Sequence, residues 1–239
     1  MTNDLAQSIR YRRVVSLSHV IDPAIPRWPG DPPVRFRTTA RRECAGYFLR
    51  RLCLGEHSGT HANAPISFHP DGAAIDQFEP ASWVVPAVVI DVSPQAEADR
   101  DYRLSEADID RWEAVHGVLP DGSCVLLHCG WQRRWHDPAT YFDLDDDGLP
   151  HYPGYSESAA RFLLEQRGAT GLGTDAPGID PGTDPAFTIN RLALQQPRVV
   201  LENLANLDRL PPRGATLVIG VLPLRGGSGS PAAVTALLP

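Results

Sequence analysis

The sequence contains no lysine, because all 22 of its Lys and Arg positions are arginine. The missing primary amine excludes Schiff-base catalysis and a phosphate-binding loop of the lysine type. The formal net charge of -7 leaves no basic surface for phosphate backbones or anionic membranes. We therefore expect a small-molecule substrate, with neither nucleic acid nor a membrane as a partner.

Long apolar runs and paired cysteines are also missing. No run approaches the roughly 20 residues that span a bilayer, and the opening residues MTNDLAQSIRYRRVV lack the apolar segment of a secretory signal. A cytoplasmic protein is expected on these grounds. The cysteines form no CxxC pair and are too few for a disulfide framework, which predicts buried free thiols at Cys44, Cys53, Cys124 and Cys129.

The pattern predicts a single α/β domain with long loops over residues 1–239, in which residues 1–12 form a flexible arm. Helices are predicted after the N-cap residues Ser105 and Ser156. The 23 prolines and 20 glycines assign much of the remaining chain to ordered loops. Strands are predicted where apolar or β-branched runs are bounded by Gly or Pro, at 13–17, 87–92, Cys124–His128, Gly171–Thr174, 198–201 and 216–222.

The segment from Glu56 to His69 contains three of the eight histidines. His57 and His61 are four residues apart, a spacing that places two imidazoles on one face of a helix, as in zinc proteases. The intervening Ser-Gly-Thr limits any such helix to a short one after a strand. Both imidazoles are nevertheless expected to point the same way, as a candidate pair of metal ligands.

The motif HxGTHxxxP around this pair resembles the signature of the metal-dependent cyclase family, which includes bacterial kynurenine formamidase, isatin hydrolase and trans-dienelactone hydrolase. The resemblance extends over nearly the whole chain. It implies a compact swivelling β/β/α fold and a homodimer or homotetramer. The further matches are RWPGD at 27–31, GW at 130–131, GLGTDAP at 171–177 with IDP at 179–181, LENL at 201–204 and GGSGSP at 226–231.

The resemblance also implies ligand roles for His57 and His61, which match the two metal-binding histidines of the family pattern HxGTHxDxPxH. Glu202 matches a glutamate associated with the metal site of the family. The expected cofactor is one Zn²⁺ or Mn²⁺ held by these three residues, because two imidazoles and a carboxylate leave a water position open for metal-activated hydrolysis. An empty metal site is the alternative.

Three positions depart from the family pattern. Asn63 replaces an aspartate, Ser67 replaces the final histidine, and Asn190 replaces a histidine of the second metal site. The neutral carbonyl of asparagine binds a divalent ion more weakly than a carboxylate does, so a dinuclear site is not expected. We assign Asn63 and Asn190 to substrate binding.

We assign proton transfer to Glu202 or His69. On an extended segment, residues 67 and 69 would face the same way, so His69 could take the place of the family histidine at position 67. The alternative is that His69 is an exposed loop residue. Ser67 beside His69 is a candidate nucleophilic pair, although no GxSxG elbow surrounds it. Asp175 ends a predicted strand and is a candidate substrate-binding carboxylate or a loop cap. Trp28 is a candidate aromatic wall for a planar substrate, or a packing residue.

Two enzymatic functions follow from these residues and the resemblance. The first is a metal-dependent hydrolase of a small cyclic or aryl amide, lactone or ester, which uses a metal-activated water. The second is a polyketide-type cyclase or lyase of secondary metabolism with a reduced or absent metal site, in which Asn63, Asn190 and His61 polarise carbonyl groups. A degenerate binding protein is the non-enzymatic alternative.

Overall fold

The computed structural model describes residues 8–239. Within these residues the strands are β1 (Arg13–Ser16), β2 (Arg35–Ala40), β3 (Leu49–Cys53), β4 (His61–Asn63), β5 (Val84–Asp91), β6 (Arg103–Leu104), β7 (Cys124–His128), β8 (Gly154–Tyr155), β9 (Gly171–Thr174), β10 (Val199–Glu202), β11 (Arg213–Val221) and β12 (Gly229–Leu238). The α-helices are α1 (Arg42–Ala45), α2 (Ser93–Ala98), α3 (Glu106–His116), α4 (Pro138–Phe142), α5 (Glu157–Arg161) and α6 (Thr188–Ala193).

Seven strands close into a β-barrel in the order β12, β11, β5, β7, β9, β10 and β4. Closure occurs because β4 pairs on one side with β10 and on the other with residues 229–231 of β12. The strands β5, β7, β9 and β10 are parallel to one another, and the remaining pairings are antiparallel. Strand β1 joins the later part of β12. The predicted mixed α/β domain is confirmed, as a closed barrel surrounded by helices and loops.

Strands β4, β7, β9 and β10 are buried on both faces, whereas β11 and β12 are more exposed on their outer face. Alternate residues of β7 lie in two different apolar clusters, with Cys124 and Leu126 in one and Val125 and Leu127 in the other. This alternation follows from the period of two along a strand. The first cluster draws side chains from all sides of the barrel and fills its interior, whereas the second joins the barrel to α3, α5 and α6.

Both predicted helix starts are confirmed. The Ser105 hydroxyl accepts from the Asp108 N–H, and the Asp108 carboxylate accepts from the Ser105 N–H, which is a reciprocal capping box. Ser156 caps α5, which continues as a π-helical turn over Phe162–Gln166.

The predicted strands are all present, with ends that shift by a few residues, and Glu202 lies inside β10 rather than after it. The sequence patterns missed the β2–β3 hairpin, β4 and β12. The hairpin escaped detection because its strands carry arginines on largely exposed faces. Strand β12 begins in the Gly-Ser run and β4 has only three residues, so neither start shows a period-two pattern.

The cysteine prediction was half correct. Cys124 and Cys129 are buried free thiols, but Cys44 and Cys53 are exposed on the hairpin segment. Residues 1–7 of the predicted arm lie outside the described residues. In the part of the chain that the structure describes, no helix has both the length and the apolar character needed to cross a bilayer.

Candidate active site

The central histidine segment is a turn followed by strand β4, so the predicted short helix was wrong. The physical reason is Gly59, which has a φ of 67° and turns the chain into β4. In β4, Ala62 packs inside the barrel while His61 and Asn63 point outward. Glu202 of β10 is the direct cross-strand partner of His61, which places the two side chains on one outer face.

His61 and Glu202 form a buried pair, with His61 Nε2 at 3.2 Å from Glu202 Oε2. The second ring nitrogen of His61 lies 2.9 Å from the Gly59 carbonyl oxygen, so both nitrogens face acceptors. The other oxygen of Glu202 accepts from the Ile179 N–H and from Asn190 Nδ2. Burial raises the pKa of Glu202, but His61 and these donors outweigh it and lower that pKa from 4.5 to about 2.

A chain of hydrogen bonds runs from His57 through two asparagines to two carboxylates. Asn190 Nδ2 donates to Asp180 Oδ2 at 2.8 Å and to Glu202 Oε1 at 2.9 Å. Asn63 Nδ2 donates to Asn190 Oδ1 at 3.1 Å, and Asn63 Oδ1 lies 2.9 Å from His57 Nδ1. Burial lowers the pKa of His57, with a further contribution from the nearby His61. The two asparagines therefore couple His57 to the buried carboxylates through neutral groups.

Asp180 is the second buried carboxylate of this chain. Burial raises its pKa to about 7, although it also accepts hydrogen bonds from Asn190 and from the Ile189 N–H. Asp180 was not predicted as a site residue. It stands within the Ile179–Pro181 segment that follows the GLGTDAP match, which was the only signal available in the sequence.

Ser228 completes the polar cluster from the start of β12. Its Oγ lies 3.0 Å from His57 Nε2 and 2.7 Å from Glu56 Oε2. Its carbonyl oxygen accepts from Ser67 Oγ at 2.6 Å. The surrounding GGSGSP is a match to the family, and no role was predicted for this serine. The glycines around it were the available signal, because they mark a close approach of the backbone.

A cavity of about 380 Å³ opens onto this cluster. Its volume suits a small organic molecule. His57, Ser228 and Arg27 face it from the polar side. Five aromatic side chains also line the cavity and are called the aromatic wall below: Trp28, Phe68, Phe142, Tyr152 and Phe187.

Most of the residues predicted for the site lie together. The cavity is lined by the predicted residues Trp28, His57, His61, Asn63, Ser67, Asn190 and Glu202. Trp28 sits with its ring 5.8 Å from that of Phe142, in an edge-to-face contact.

Two predicted residues lie elsewhere. His69 Nε2 is 2.9 Å from the Arg191 carbonyl oxygen, and its side chain is not part of the cavity wall. The segment after Asn63 is a 3-10 turn rather than an extended strand, so residues 67 and 69 do not face the same way. Asp175 is completely buried and accepts from the backbone N–H of Cys129 and Gln132, which makes it an anchor for that loop.

The comparison with known proteins decides the family. The family model described as "Putative cyclase" matches residues 15–181. The chain belongs to the cyclase family. It is 34% identical to an isatin hydrolase of Roseibium aggregatum, with 95% of this chain and 92% of the relative covered. It is 30% identical to a kynurenine formamidase of Salinibacter ruber, with 91% and 94% covered.

Solved structures of the cyclase family share the fold. The isatin hydrolase A from Ralstonia solanacearum superimposes with a TM-score of 0.90 at 32% identity, and covers 95% of this chain and 92% of its own. A second structure, described as a potential metal-dependent hydrolase with cyclase activity, has a TM-score of 0.69 at 22% identity and covers 94% and 96%. The second likeness establishes the fold alone.

The donor atoms of this chain must be tested against the divalent ion that the family implies. A metal ion needs lone pairs that converge on one point and are not already used. Both nitrogens of His57 and both nitrogens of His61 have hydrogen-bonding partners within the protein. Among residues 8–239 no three His, Cys, Asp or Glu side chains are placed to hold a metal ion.

The residues present therefore do not fit a resident divalent ion, and the geometry does not support the predicted ligand set of His57, His61 and Glu202. The cause is the replacement of charged or imidazole ligands by two amides. Asn63 engages His57, and Asn190 engages both Asp180 and Glu202, so the carboxylates are directed at hydrogen-bond donors instead of a shared cation site.

Proposed function

We propose that this protein hydrolyses the carbon–nitrogen bond of a small aryl or cyclic amide in the 380 Å³ cavity. One observation carries the proposal. The cavity has an aromatic wall, and it is also lined by His57, whose Nε2 lies beside the Ser228 hydroxyl. Membership of the cyclase family and the likeness to isatin hydrolases support the substrate class.

The side chains of the cavity supply binding and proton transfer. The aromatic wall stacks against a planar ring, and this stacking holds the scissile carbonyl toward the polar side. His57 Nε2 takes a proton from the attacking group and returns it to the departing nitrogen, which is general base and then general acid catalysis. Arg27 adds a positive charge at the cavity, which favours the carboxylate of the product.

Glu202 and His61 act from the rear of the site. Their ion pair fixes Asn190, which in turn fixes Asn63 and the orientation of the His57 ring. The proposed proton transfer passes through none of these groups. Elemental analysis of the purified protein tests the Zn²⁺ or Mn²⁺ predicted from the sequence, and the predicted homodimer or homotetramer stays a prediction.

The cyclase or lyase alternative receives no support from the amide groups. It relied on Asn63, Asn190 and His61 to polarise substrate carbonyls. Both N–H groups of Asn190 donate to the carboxylates of Asp180 and Glu202. Asn63 Nδ2 donates to Asn190 Oδ1, and His61 Nε2 is directed at Glu202 Oε2. We therefore propose hydrolysis alone.

The proposal is tested with isatin and formanilide as the cyclic and open-chain aryl amides. Loss of isatin absorbance and mass spectrometry of the ring-opened acid measure turnover of the first, and aniline release measures the second. Hydrolysis of at least one amide, well above the rate in buffer, is expected. Failure with both amides, by a protein that is folded by circular dichroism, contradicts the proposed function.

A further inference from the structure

We propose that Ser228 is the nucleophile of this reaction, activated by His57, with Asn63 orienting the imidazole. The inference rests on the proposed function for its substrate class. It assigns a covalent route to a family member whose donor set does not fit a resident metal ion. The geometry that supports it is the Ser228–His57–Asn63 arrangement, with successive distances of 3.0 Å and 2.9 Å.

The tautomer of His57 follows from the buried carboxylates. Asn190 Nδ2 donates to Asp180 Oδ2 and to Glu202 Oε1. Asn190 must therefore present its Oδ1 to Asn63. Asn63 then meets Asn190 with its Nδ2 and turns its own Oδ1 to His57.

An amide oxygen only accepts, so His57 Nδ1 carries a hydrogen. In the neutral ring, Nε2 then carries the lone pair. That lone pair faces Ser228 Oγ, as a base must face its nucleophile.

Ser228 is held firmly at the edge of the cavity. Its N–H donates to Glu56 Oε2 at 2.8 Å, and its carbonyl oxygen accepts from the Ala64 N–H and from Ser67 Oγ. The next residue is Gly229, where a Cβ atom would lie 2.7 Å from His57 Cε1. The absence of that Cβ lets the imidazole lie directly against the loop that carries the serine.

The reaction balances with water as the only co-reactant. Ser228 Oγ bonds to the amide carbonyl carbon while His57 Nε2 takes the hydroxyl proton. The carbon–nitrogen bond then breaks, and His57 returns the proton to the departing nitrogen. Water attacks the resulting serine ester, and His57 Nε2 takes a proton from that water. The ester bond breaks to release a carboxylic acid, while His57 returns the proton to Ser228 Oγ and the hydroxyl is regenerated.

Glu56 is the competing acceptor for the hydroxyl proton, because its Oε2 is 2.7 Å from Ser228 Oγ. His57 is the base in our proposal, since its ring is oriented by Asn63 and can pass the proton to a leaving group at the cavity. Replacement of Glu56 by Gln removes the competing carboxylate. The Glu56→Gln variant should therefore retain the nucleophilic reactivity of Ser228. If Glu56 were the base instead of His57, this variant would lose that reactivity.

An alkyl fluorophosphonate tests the nucleophile without any amide substrate. Ser228 Oγ bonds to phosphorus, fluoride leaves, and the added mass is located by peptide mass spectrometry. We expect stoichiometric labelling of Ser228 in the wild-type protein, and at least 100-fold slower labelling in His57→Gln. The matched serine control is Ser158→Ala, at an exposed position of α5 outside the cavity, and this variant should still be labelled at Ser228.

Ser228→Ala should remain unlabelled and should lose amide turnover by at least 100-fold, while its thermal unfolding stays close to that of the wild type. Ser228→Cys should restore a burst of nitrophenol from p-nitrophenyl acetate, with an acetyl group on the new thiol. A wild-type protein that hydrolyses amides but takes up no label overturns the nucleophile and leaves the proposed function standing. Labelled Ser228 without amide turnover supports the nucleophile and contradicts the amide substrate class.

Discussion

Replacement of Glu202 by glutamine removes one charge from the ion pair behind the cavity. The carboxylate accepts from His61, Ile179 and Asn190, and the side chain is almost fully buried. An amide has only one accepting oxygen, so either orientation of glutamine turns its NH₂ toward an existing donor. Removal of one partner from such a buried pair costs about 3–5 kcal/mol of unfolding free energy.

The pH dependence gives a second estimate of this cost. The folded-state pKa of Glu202 is lowered from 4.5 to about 2, so its contribution to stability is fully present above pH 4.5 and is lost as the pH falls toward about 2. A lowering of this size corresponds to about 3 kcal/mol at neutral pH, and to roughly half of that at about pH 3. We expect Glu202→Gln to be less stable by that amount at pH 7.

Guanidinium denaturation followed by tryptophan fluorescence measures the difference at the two pH values. The control is Glu97→Gln on α2, an exposed residue whose replacement should change stability by less than about 0.5 kcal/mol. The gap between wild type and Glu202→Gln should narrow as the pH is lowered from 7 to 3. An equal gap at both pH values, or no gap at pH 7, would refute the electrostatic account of Glu202.

Three further outcomes follow from the site. Asn63→Asp combined with Asn190→His should allow a divalent ion to bind, because the two changes restore the charged and imidazole ligands of the family pattern. Elemental analysis after dialysis against Zn²⁺ measures the bound ion. A zinc content equal to that of the wild type contradicts this prediction. Gly229→Ala should lower the free energy of unfolding by about 2 kcal/mol, because the alanine Cβ would lie 2.7 Å from the Ala62 carbonyl oxygen. A melting temperature within 1 °C of that of the wild type contradicts this prediction. Trp28→Ala should raise KM for isatin about tenfold with a smaller change in kcat. Trp28→Phe should recover most of the lost affinity. An unchanged KM in both variants would show that the aromatic wall does not bind the substrate.

The parts of the fold that could be predicted are those with strong local signals. Strand Cys124–His128 is an apolar run between Gly122 and Gly130, and Ser105 with Asp108 forms a capping box. Barrel closure has no such signal. It depends on three residues of β4 pairing with two distant strands, which is a matter of long-range packing.

The site divides in the same way. His57, His61 and Glu202 were predicted from the HxGTH motif and the LENL match. The hydrogen bond between His57 and Ser228 could not be predicted, because it joins residues 171 positions apart. His69 was misplaced because the chain after Asn63 turns, and Asp175 because the end of a central strand also serves to anchor loops.

The most direct test of the proposed hydrolysis is the rate of isatin ring opening by the wild-type protein and by His57→Gln, measured at equal protein concentration. The matched control is His136→Gln, an exposed histidine outside the cavity. We predict that the wild type and His136→Gln open the ring at similar rates, and that His57→Gln is slower by at least about 100-fold. Equal rates in all three proteins would contradict a hydrolytic site centred on His57.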